Sequence, residues 1–260
     1  MNNIKPILEG IYNNLELRRT IVPMFLGNPG LGKTVIINEF FKEKNKKLVS
    51  FITSQRNPFE ISGMIMPDQN LKKISIWDFD TLLELQDGDG LLFDEFGNGN
   101  PAVANACLTI LEERTLISGK KLPNIMIVAA ANPQGMMPLT PQIKERFIWY
   151  KVKFNVSLWE DWMFNKYKIP KNICNKLSNL IKSEDFTGYN FKTPRSIDKA
   201  VNMIINDIYT PYNQEIKPIL DTLIKNELDE IDLGNGTILQ KNEMITWLKL
   251  ITILNGNIKE

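Results

Sequence analysis

The sequence predicts an α/β fold with a parallel sheet, followed by a smaller helical domain. The chain has 260 residues, enough for one large domain or two modest ones. In its first half, strand-like segments alternate with helix-like segments, which is typical of a parallel α/β sheet. After Phe154 the apolar residues recur only at helical spacing. We therefore predict an α/β domain over 1–154 and a helical domain over 155–260.

The predicted strands of the first domain are short runs rich in apolar residues. They lie at Ile21–Leu26, Leu48–Thr53, Leu91–Asp94, Ile125–Ala131 and Phe147–Phe154. Two crossover helices are predicted between them, at Lys33–Lys44 and Pro101–Arg114. The start of the second helix is well marked, because Asn100 suits an N-cap and Pro101 suits the first helical position.

The second domain opens with a helix-start signal. Ser157 and Glu160 have the spacing of a capping box, which predicts that a helix begins there. Further segments carry apolar residues at helical spacing, at Pro170–Lys182, Pro194–Ile208, Ile216–Asn226 and Gln240–Leu254. We therefore predict an all-α domain after the sheet.

Composition limits the chemistry and the partners of the chain. Lys and Arg number 31 against 30 Asp and Glu, so the whole molecule offers no broad electrostatic attraction for nucleic acid. The absence of histidine removes imidazole from acid–base catalysis and metal binding. Cys107 and Cys174 lack CxxC spacing, which predicts reduced, buried thiols. Without a membrane-length apolar run or a signal sequence, we expect a cytoplasmic protein with no membrane partner.

A phosphate-binding motif is the strongest feature of the sequence. The segment Gly27-Asn28-Pro29-Gly30-Leu31-Gly32-Lys33-Thr34 matches G-x-x-x-x-G-K-[ST] between a predicted strand and a predicted helix. In such a P-loop, backbone N–H groups and a helix N-terminus face the phosphates of a nucleotide. Lys33 would reach the terminal phosphates, and the Thr34 hydroxyl would bind Mg²⁺. The alternative, a glycine-rich turn that binds nothing, fits this context less well.

Two adjacent carboxylates follow a later apolar strand. Asp94 and Glu95 end the segment that begins at Gly90. Asp94 is predicted to lie at the carboxyl edge of the sheet and to hold Mg²⁺ through water. Glu95 is predicted to orient and deprotonate the attacking water, a role that suits a chain without histidine. An acidic pair at a strand end is otherwise an ordinary loop start, and the upstream P-loop favours the catalytic interpretation.

These motifs together resemble those of AAA+ ATPases, and further segments resemble the MoxR-like group of the dynein-related families. The resemblance covers nearly the whole chain and implies a P-loop NTPase αβα sandwich, the AAA+ core, followed by a small all-α lid. The segment Ala129–Pro133 is similar to the sensor 1 element at the end of the fourth strand. This implies that Asn132 hydrogen-bonds the γ-phosphate or the lytic water. By itself, Asn-Pro after a strand is an ordinary turn.

Two arginines are assigned roles by the same resemblance. Leu139–Phe147 resembles the element that carries the arginine finger, which implies that Arg146 reaches the γ-phosphate of the neighbouring subunit. An arginine that caps a helix C-terminus is the simpler interpretation of Arg146 alone. Thr193–Ser196 is similar to the sensor 2 motif, which implies that Arg195 touches the γ-phosphate of its own subunit from the lid.

Two further segments resemble parts that face the pore in this group. Glu60–Gly63 is similar to a stretch of the helix-2 insert, which would run over about 59–76. A hairpin is predicted at Thr115–Leu122, with its turn at Ser118 and Gly119. Its two lysines, Lys120 and Lys121, are candidates for contact with a polymer or partner. Solvated turn lysines are the simpler interpretation.

The resemblance implies that the chain binds ATP and Mg²⁺, assembles into a homo-hexameric ring, and remodels a protein client or complex. The usual Gly-Gln segment near the adenine is missing, so GTP stays open beside ATP. Two other functions also stay open: a nucleic-acid motor or loader in replication or recombination, and a nucleotide-gated scaffold without hydrolysis. The near-neutral charge disfavours nucleic acid, and Glu95 disfavours the scaffold.

Overall fold

The computed structural model of the protein describes residues 4–68, 73–78, 80–181, 193–205, 230–232 and 238–240. The strands in these ranges are β1 (Pro23–Leu26), β2 (Leu48–Ile52), β3 (Met64–Asp68), β4 (Lys73–Trp77), β5 (Gly90–Asp94), β6 (Met126–Ala131), β7 (Ile148–Lys151), β8 (Glu230–Asp232) and β9 (Ile238–Gln240). The α-helices are α1 (Ile4–Tyr12), α2 (Leu15–Thr20), α3 (Lys33–Glu43), α4 (Phe59–Ser62), α5 (Asp80–Leu83), α6 (Pro101–Ala106), α7 (Leu108–Glu113), α8 (Pro141–Lys144), α9 (Val156–Tyr167), α10 (Lys171–Ser178) and α11 (Pro194–Ile205). Short 3₁₀ turns occupy Thr53–Gln55 and Asn179–Ile181.

A parallel sheet of five strands lies at the centre of the first half, in the order β2-β5-β6-β1-β7. β6 is buried along its whole length and β5 along its first four residues. Both strands are continuous apolar runs because a parallel sheet is covered on both faces. A Cβ at Gly90 would lie 2.5 Å from the Phe41 ring, so glycine allows α3 to pack closely on β5. The predicted α/β fold with a parallel sheet is confirmed.

The strand directions define two edges of this sheet. β1 runs from Pro23 to Leu26 and leads into the P-loop, which therefore lies at the carboxyl edge. Ile148, the first residue of β7, pairs with Pro23, so the residue range just before β7 lies at the amino edge. A strand of four residues spans about 13 Å, which sets the separation of the two edges.

The helix predicted over 101–114 is divided in the structure into α6 and α7 at Cys107. The Cys107 amide donates to the Val103 carbonyl and its own carbonyl accepts from the Leu111 amide, so helical hydrogen bonding continues through the division. Asn100 caps α6 as predicted, because its Oδ1 accepts from the Ala102 amide at 2.9 Å. The two cysteines are free and buried, as predicted, and burial raises the pKa of the Cys107 thiol.

The segment between the second and third sheet strands forms α4 and an antiparallel hairpin of β3 and β4. Gly63 allows the entry into this hairpin, because its φ is +86° and a Cβ there would lie 2.8 Å from the Trp77 carbonyl oxygen. The hairpin leaves large apolar side chains exposed, with Ile65 at 63%, Ile74 at 74% and Trp77 at 63%. It is therefore an apolar projection from the sheet domain.

The second half contains helices α9 to α11 around a small apolar core that includes Trp159, Met163 and Ile197. The predicted capping box at Ser157 is wrong: Asn155 is the N-cap of α9, and its Oδ1 accepts from the Leu158 amide at 3.2 Å. The helix therefore begins two residues earlier than predicted, and Ser157 lies inside its first turn.

An all-α second half is also wrong, because β8 and β9 pair antiparallel. β9 covers Ile238–Gln240, so its last residue is the one at which a helix was predicted to begin. The rest of that helix, the predicted helix at Ile216–Asn226 and the ends of two other predicted helices lie outside the described residues.

The chain divides into two compact units. One comprises Asn2–Asn28 and Gly32–Lys153, and the other comprises Pro29–Leu31 and Phe154–Glu260. Within the ranges given above, no helix has both the length and the apolar character needed to cross a membrane.

Candidate functional site

The P-loop predicted from the sequence connects β1 to α3. Gly30 and Gly32 each have a φ of +79°, a left-handed conformation that favours glycine, and Gly32 is the N-cap of α3. The Lys33 Nζ donates to the carbonyl oxygens of Gly27 at 2.6 Å and Asn28 at 3.1 Å. These contacts hold the ammonium group against the loop at the carboxyl edge of the sheet.

Thr34 and Asp94 are brought together by the parallel pairing of the sheet. The Thr34 Oγ1 donates to the Asp94 Oδ2 at 2.6 Å, although 60 residues separate them in sequence. The second carboxylate oxygen of Asp94 accepts from the Glu95 amide at 2.9 Å. The Thr34 hydroxyl and the Asp94 carboxylate place hard oxygen ligands close together. Mg²⁺ prefers such ligands, so these two residues fit that ion.

Glu95 is exposed and adopts a left-handed backbone conformation, with φ +52°. Such a φ is uncommon for a residue other than glycine and costs on the order of 1 kcal/mol. One carboxylate oxygen of Glu95, Oε2, accepts a short hydrogen bond from the Ser54 hydroxyl. Nearby, the Thr53 Oγ1 lies 3.0 Å from the carbonyl oxygens of both Asp94 and Glu95.

Sequence reasoning missed Thr53 and Ser54. They directly follow β2, which pairs with β5 in parallel from Leu48↔Gly90 to Ile52↔Asp94. This pairing carries both chains to the same edge of the sheet. The signal available in the sequence was two hydroxyl residues at the end of a predicted strand, but the neighbour of that strand was unknown.

Asn132 follows β6 and lies beside the loop that follows β5. Its own Oδ1 accepts from the Gln134 amide at 3.1 Å, which is a local turn contact. Its backbone carbonyl and amide contact the side chain of Asn98, at 3.1 Å and 3.3 Å. Asn98 is a further residue that sequence reasoning missed.

Arg146 lies at the opposite, amino edge of the sheet, two residues before β7 begins. Its Nη2 forms an ion pair with the Glu112 Oε1 at 2.8 Å. Its Nε is buried and has no hydrogen-bond partner among the described residues. The sequence-predicted arginine is therefore on the far side of the sheet from Lys33 and Thr34 of the same chain.

Arg114 lies two residues after Glu112 and has a left-handed φ of +55°. All three of its guanidinium nitrogens are buried, and within the described part of the chain none has a hydrogen-bond partner. Burial, and secondarily the positive charge of Arg19, lower the pKa of Arg114 to about 10. A buried cation without an acceptor is costly, so this edge of a single chain is electrostatically incomplete.

Arg195 belongs to the helical unit, in the first turn of α11, and is exposed. The Thr193 Oγ1 accepts from the Ser196 amide at 3.1 Å, so Thr193 caps the helix that carries Arg195.

The predicted hairpin after α7 is confirmed by an antiparallel bridge between Thr115 and Lys121 and by a φ of +86° at Gly119. Lys120 and Lys121 are both exposed on it. The Ser118 hydroxyl donates to the Asp78 Oδ2 at 2.5 Å, which links this hairpin to the residue just after β4.

Comparison with known proteins agrees with this geometry. Residues 23–147 match the family model described as AAA domain (dynein-related subfamily). Two uncharacterized proteins of Methanocaldococcus jannaschii are each 23% identical, over 69% and 81% of this chain and over 44% and 50% of their own lengths. The chain thus spans about half the length of the curated relatives it matches.

Solved structures of similar fold include the RuvB Holliday junction branch migration motor of Thermotoga maritima. It has a TM-score of 0.53 and 16% identity, over 95% of this chain and 68% of that one. A point mutant of the same motor has a TM-score of 0.56 and 17% identity, over 97% and 70%. The parallel sheet and the loop that matches the P-loop motif define the fold of P-loop nucleotide-binding domains. Residues 23–147 are thus similar to the AAA domain of the dynein-related subfamily, and the solved structures share the fold of the chain.

Proposed function

We propose that the chain is an ATP-hydrolysing, MoxR-like AAA+ protein that forms a homo-hexameric ring and remodels a protein complex or client. The observation that carries this proposal is the contact between Thr34 and Asp94, with Glu95 as the next residue. It joins the P-loop hydroxyl to the carboxylate at the end of β5, and this is the arrangement that nucleotide hydrolysis requires. ATP is the proposed nucleotide, and GTP stays open beside it.

Phosphate binding falls to the P-loop. Its backbone amides and the N-terminus of α3 would face the phosphates, and Lys33 would exchange its carbonyl contacts for phosphate oxygens. Thr34 and Asp94 would hold Mg²⁺, because their oxygens are the ligands that this ion prefers. When bound, Mg²⁺ neutralises charge on the phosphates.

Glu95 is the proposed general base that orients the attacking water and takes its proton. The Ser54 hydroxyl bonds Oε2, and the carboxylate keeps further acceptor sites for the water, on Oε1 and on Oε2 itself. The Ser54 contact restrains the orientation of the Glu95 carboxylate, so we propose that its release lets Glu95 turn toward the nucleotide and the water. Asn132 is the proposed contact to the γ-phosphate or the water, and Arg195 the proposed contact from the lid.

Arg146 is proposed to act on a neighbouring subunit. It lies at the amino edge of the sheet, about 13 Å across β1 from the P-loop edge, so it is turned away from its own nucleotide site. A second copy that presents its carboxyl edge to this surface would bring its γ-phosphate to Arg146. Charge that develops on the phosphate would then be stabilised from the neighbouring chain.

A protein client is favoured over nucleic acid by the surface of the hairpin insert. Phosphate backbones are bound by clusters of Lys and Arg. The β3–β4 hairpin instead exposes Ile65, Ile74 and Trp77, and the next hairpin adds Ile117, which is 50% exposed. Apolar side chains suit segments of polypeptide. Lys120 and Lys121 are the proposed polar contacts beside them.

The shared site is tested by mixing two inactive variants. Arg146→Ala lacks the finger and Lys33→Ala lacks the phosphate ligand, so a mixed ring contains some sites with both halves intact. We expect turnover to reappear on mixing, and the specific activity of the wild-type chain to rise with protein concentration. Mixing Arg146→Ala with an Arg146→Ala/Lys33→Ala double variant is the control, because no intact site can form. Concentration-independent, strictly additive rates would contradict the proposal.

A further inference from the structure

Asn98 links the two loops that carry Glu95 and Asn132. Its side-chain Nδ2 donates to the carbonyl oxygens of Asn132 at 3.1 Å and Gln134 at 3.0 Å. Its Oδ1 lies 3.3 Å from the Asn132 amide, which donates to it. Its backbone amide donates to the Glu95 carbonyl at 3.0 Å. One residue therefore makes four hydrogen bonds, one to the first loop and three to the second.

The position of these bonds relative to the sheet gives them their importance. The Phe96 amide donates to the Ala130 carbonyl at 2.9 Å, and the regular pairing of β5 and β6 ends near that point. Around it both loops turn through left-handed conformations, at Gly97, at Gly135 and at Glu95, where the side chain makes this conformation a strained one. Strained backbone of this kind persists only where surrounding contacts hold it. The backbone amide of Asn98 is one such contact, because it donates to the Glu95 carbonyl after the regular pairing of β5 and β6 has ended.

We propose that Asn98 is a positioning residue that fixes Glu95 and Asn132 relative to each other, so that both address the same phosphate and water. This inference rests on the proposed ATPase function. The side-chain contacts of Asn98 go to the loop after β6 and not to the P-loop residues Lys33 and Thr34, so the proposed role is one of positioning. Its loss should therefore lower the rate of the chemical step and leave nucleotide affinity nearly unchanged.

The chemistry of the side chain explains why an asparagine is needed here. A primary amide supplies two N–H donors and an acceptor oxygen in one short, planar group. Aspartate would keep an acceptor for the Asn132 amide, but it would place a carboxylate against the two carbonyl oxygens that Asn98 now satisfies. Alanine would remove all three side-chain bonds. Each substitution therefore removes side-chain hydrogen bonds between the two loops, and the primary amide of asparagine makes all three of them.

The test compares Asn98→Ala and Asn98→Asp with the wild-type chain in steady-state hydrolysis and in nucleotide binding. We expect kcat to fall by about tenfold to a hundredfold, since small misplacement of catalytic groups has effects of that size. KM and the nucleotide Kd should change by no more than about twofold. Asn100→Ala is the matched control, because Asn100 caps α6 and makes its side-chain bond within that helix. It should lower the Tm without lowering kcat.

A second arm uses the Glu95→Gln background. If Asn98 acts through Glu95, adding Asn98→Ala should lower the residual rate by less than about twofold, because contacts that act as a unit are not additive. A full tenfold further loss would overturn the proposal, as would a wild-type kcat in Asn98→Ala or Asn98→Asp, or a loss confined to KM. If the wild-type chain hydrolyses no nucleotide at any concentration, the proposed function fails and this inference fails with it. If the wild-type chain hydrolyses nucleotide, Glu95→Gln lowers the rate and the Asn98 variants do not, then the inference fails and the proposed function stands.

Discussion

The two edges of the parallel sheet differ in how their polar groups are satisfied. At the carboxyl edge, Thr34 bonds Asp94, Ser54 bonds Glu95, and Asn98 bonds the loop after β6. At the amino edge, the Arg114 guanidinium and the Arg146 Nε are buried, and no hydrogen-bond partner for them is found in the described ranges. In the described ranges, these polar groups of the carboxyl edge thus have hydrogen-bond partners within the chain, and the arginine nitrogens of the amino edge do not.

This difference indicates where a second chain would be stabilising. A buried, unsatisfied polar group costs roughly 1–3 kcal/mol, and more when it is charged. Acceptors supplied from outside would remove that cost at the amino edge. Within the described ranges, no buried side-chain polar atom of the carboxyl edge lacks a partner. The comparison is thus in agreement with the proposed ring, in which the two edges of successive copies face each other.

The largest expected effect is that of Glu95→Gln at the carboxyl edge. The amide keeps the size of the side chain but cannot take a proton, so hydrolysis should fall by ~10² or more while nucleotide is retained. Phosphate release and nucleotide titration measure the two quantities separately. Glu39→Gln, an exposed change on α3, is the control and should hydrolyse at the wild-type rate. Normal turnover by Glu95→Gln would show that the base is another residue.

At the amino edge, Arg114→Met should stabilise the isolated chain. Methionine keeps the apolar part of the side chain and the same backbone strain, so the comparison isolates the buried charge. The free energy of unfolding should rise by about 1–3 kcal/mol in urea titration at low protein concentration. Sedimentation of the same variant should show weaker assembly. Lys120→Met, an exposed change, should alter stability by less than ~0.5 kcal/mol. A less stable Arg114→Met chain would refute the proposed deficit.

Ser54→Ala tests whether the contact on Glu95 restrains hydrolysis. Removing a hydrogen bond of about 1 kcal/mol should release the carboxylate and raise the basal rate by about fivefold. Ser62→Ala removes a hydroxyl that donates to the Pro58 carbonyl, away from Glu95, and should leave the rate unchanged. A slower Ser54→Ala enzyme would instead mean that Ser54 helps to place Glu95 for catalysis.

The smallest expected effect is that of Glu112→Gln, which removes the carboxylate paired with Arg146. Their side chains are 50% and 34% exposed, so solvent screens the pair. Stability should fall by less than about 1 kcal/mol, and the difference should shrink further at high salt. Thermal unfolding at two salt concentrations measures this. A loss of several kcal/mol would mean that Glu112 is the principal support of the amino edge.

Local patterns account for what sequence reasoning predicted well. The P-loop is one contiguous segment with glycines at positions that need left-handed backbone, and the apolar run ending in Asp94 and Glu95 is typical of a strand without further context. The cap at Asn100 is equally local. Where two local signals competed, as for Asn155 against Ser157, spacing alone did not decide between them.

What the sequence by itself determined is the parallel α/β fold, the P-loop motif and a short set of candidate residues for phosphate, metal and proton transfer. Only the tertiary structure decided that Ser54 bonds Glu95, that Asn98 joins the loops after β5 and β6, and that the Arg114 guanidinium is buried without an acceptor in the described part of the chain. The two hydrogen bonds join residues 41 and 34 positions apart. They depend on which strands are neighbours in the sheet, and no local pattern of residues specifies that order.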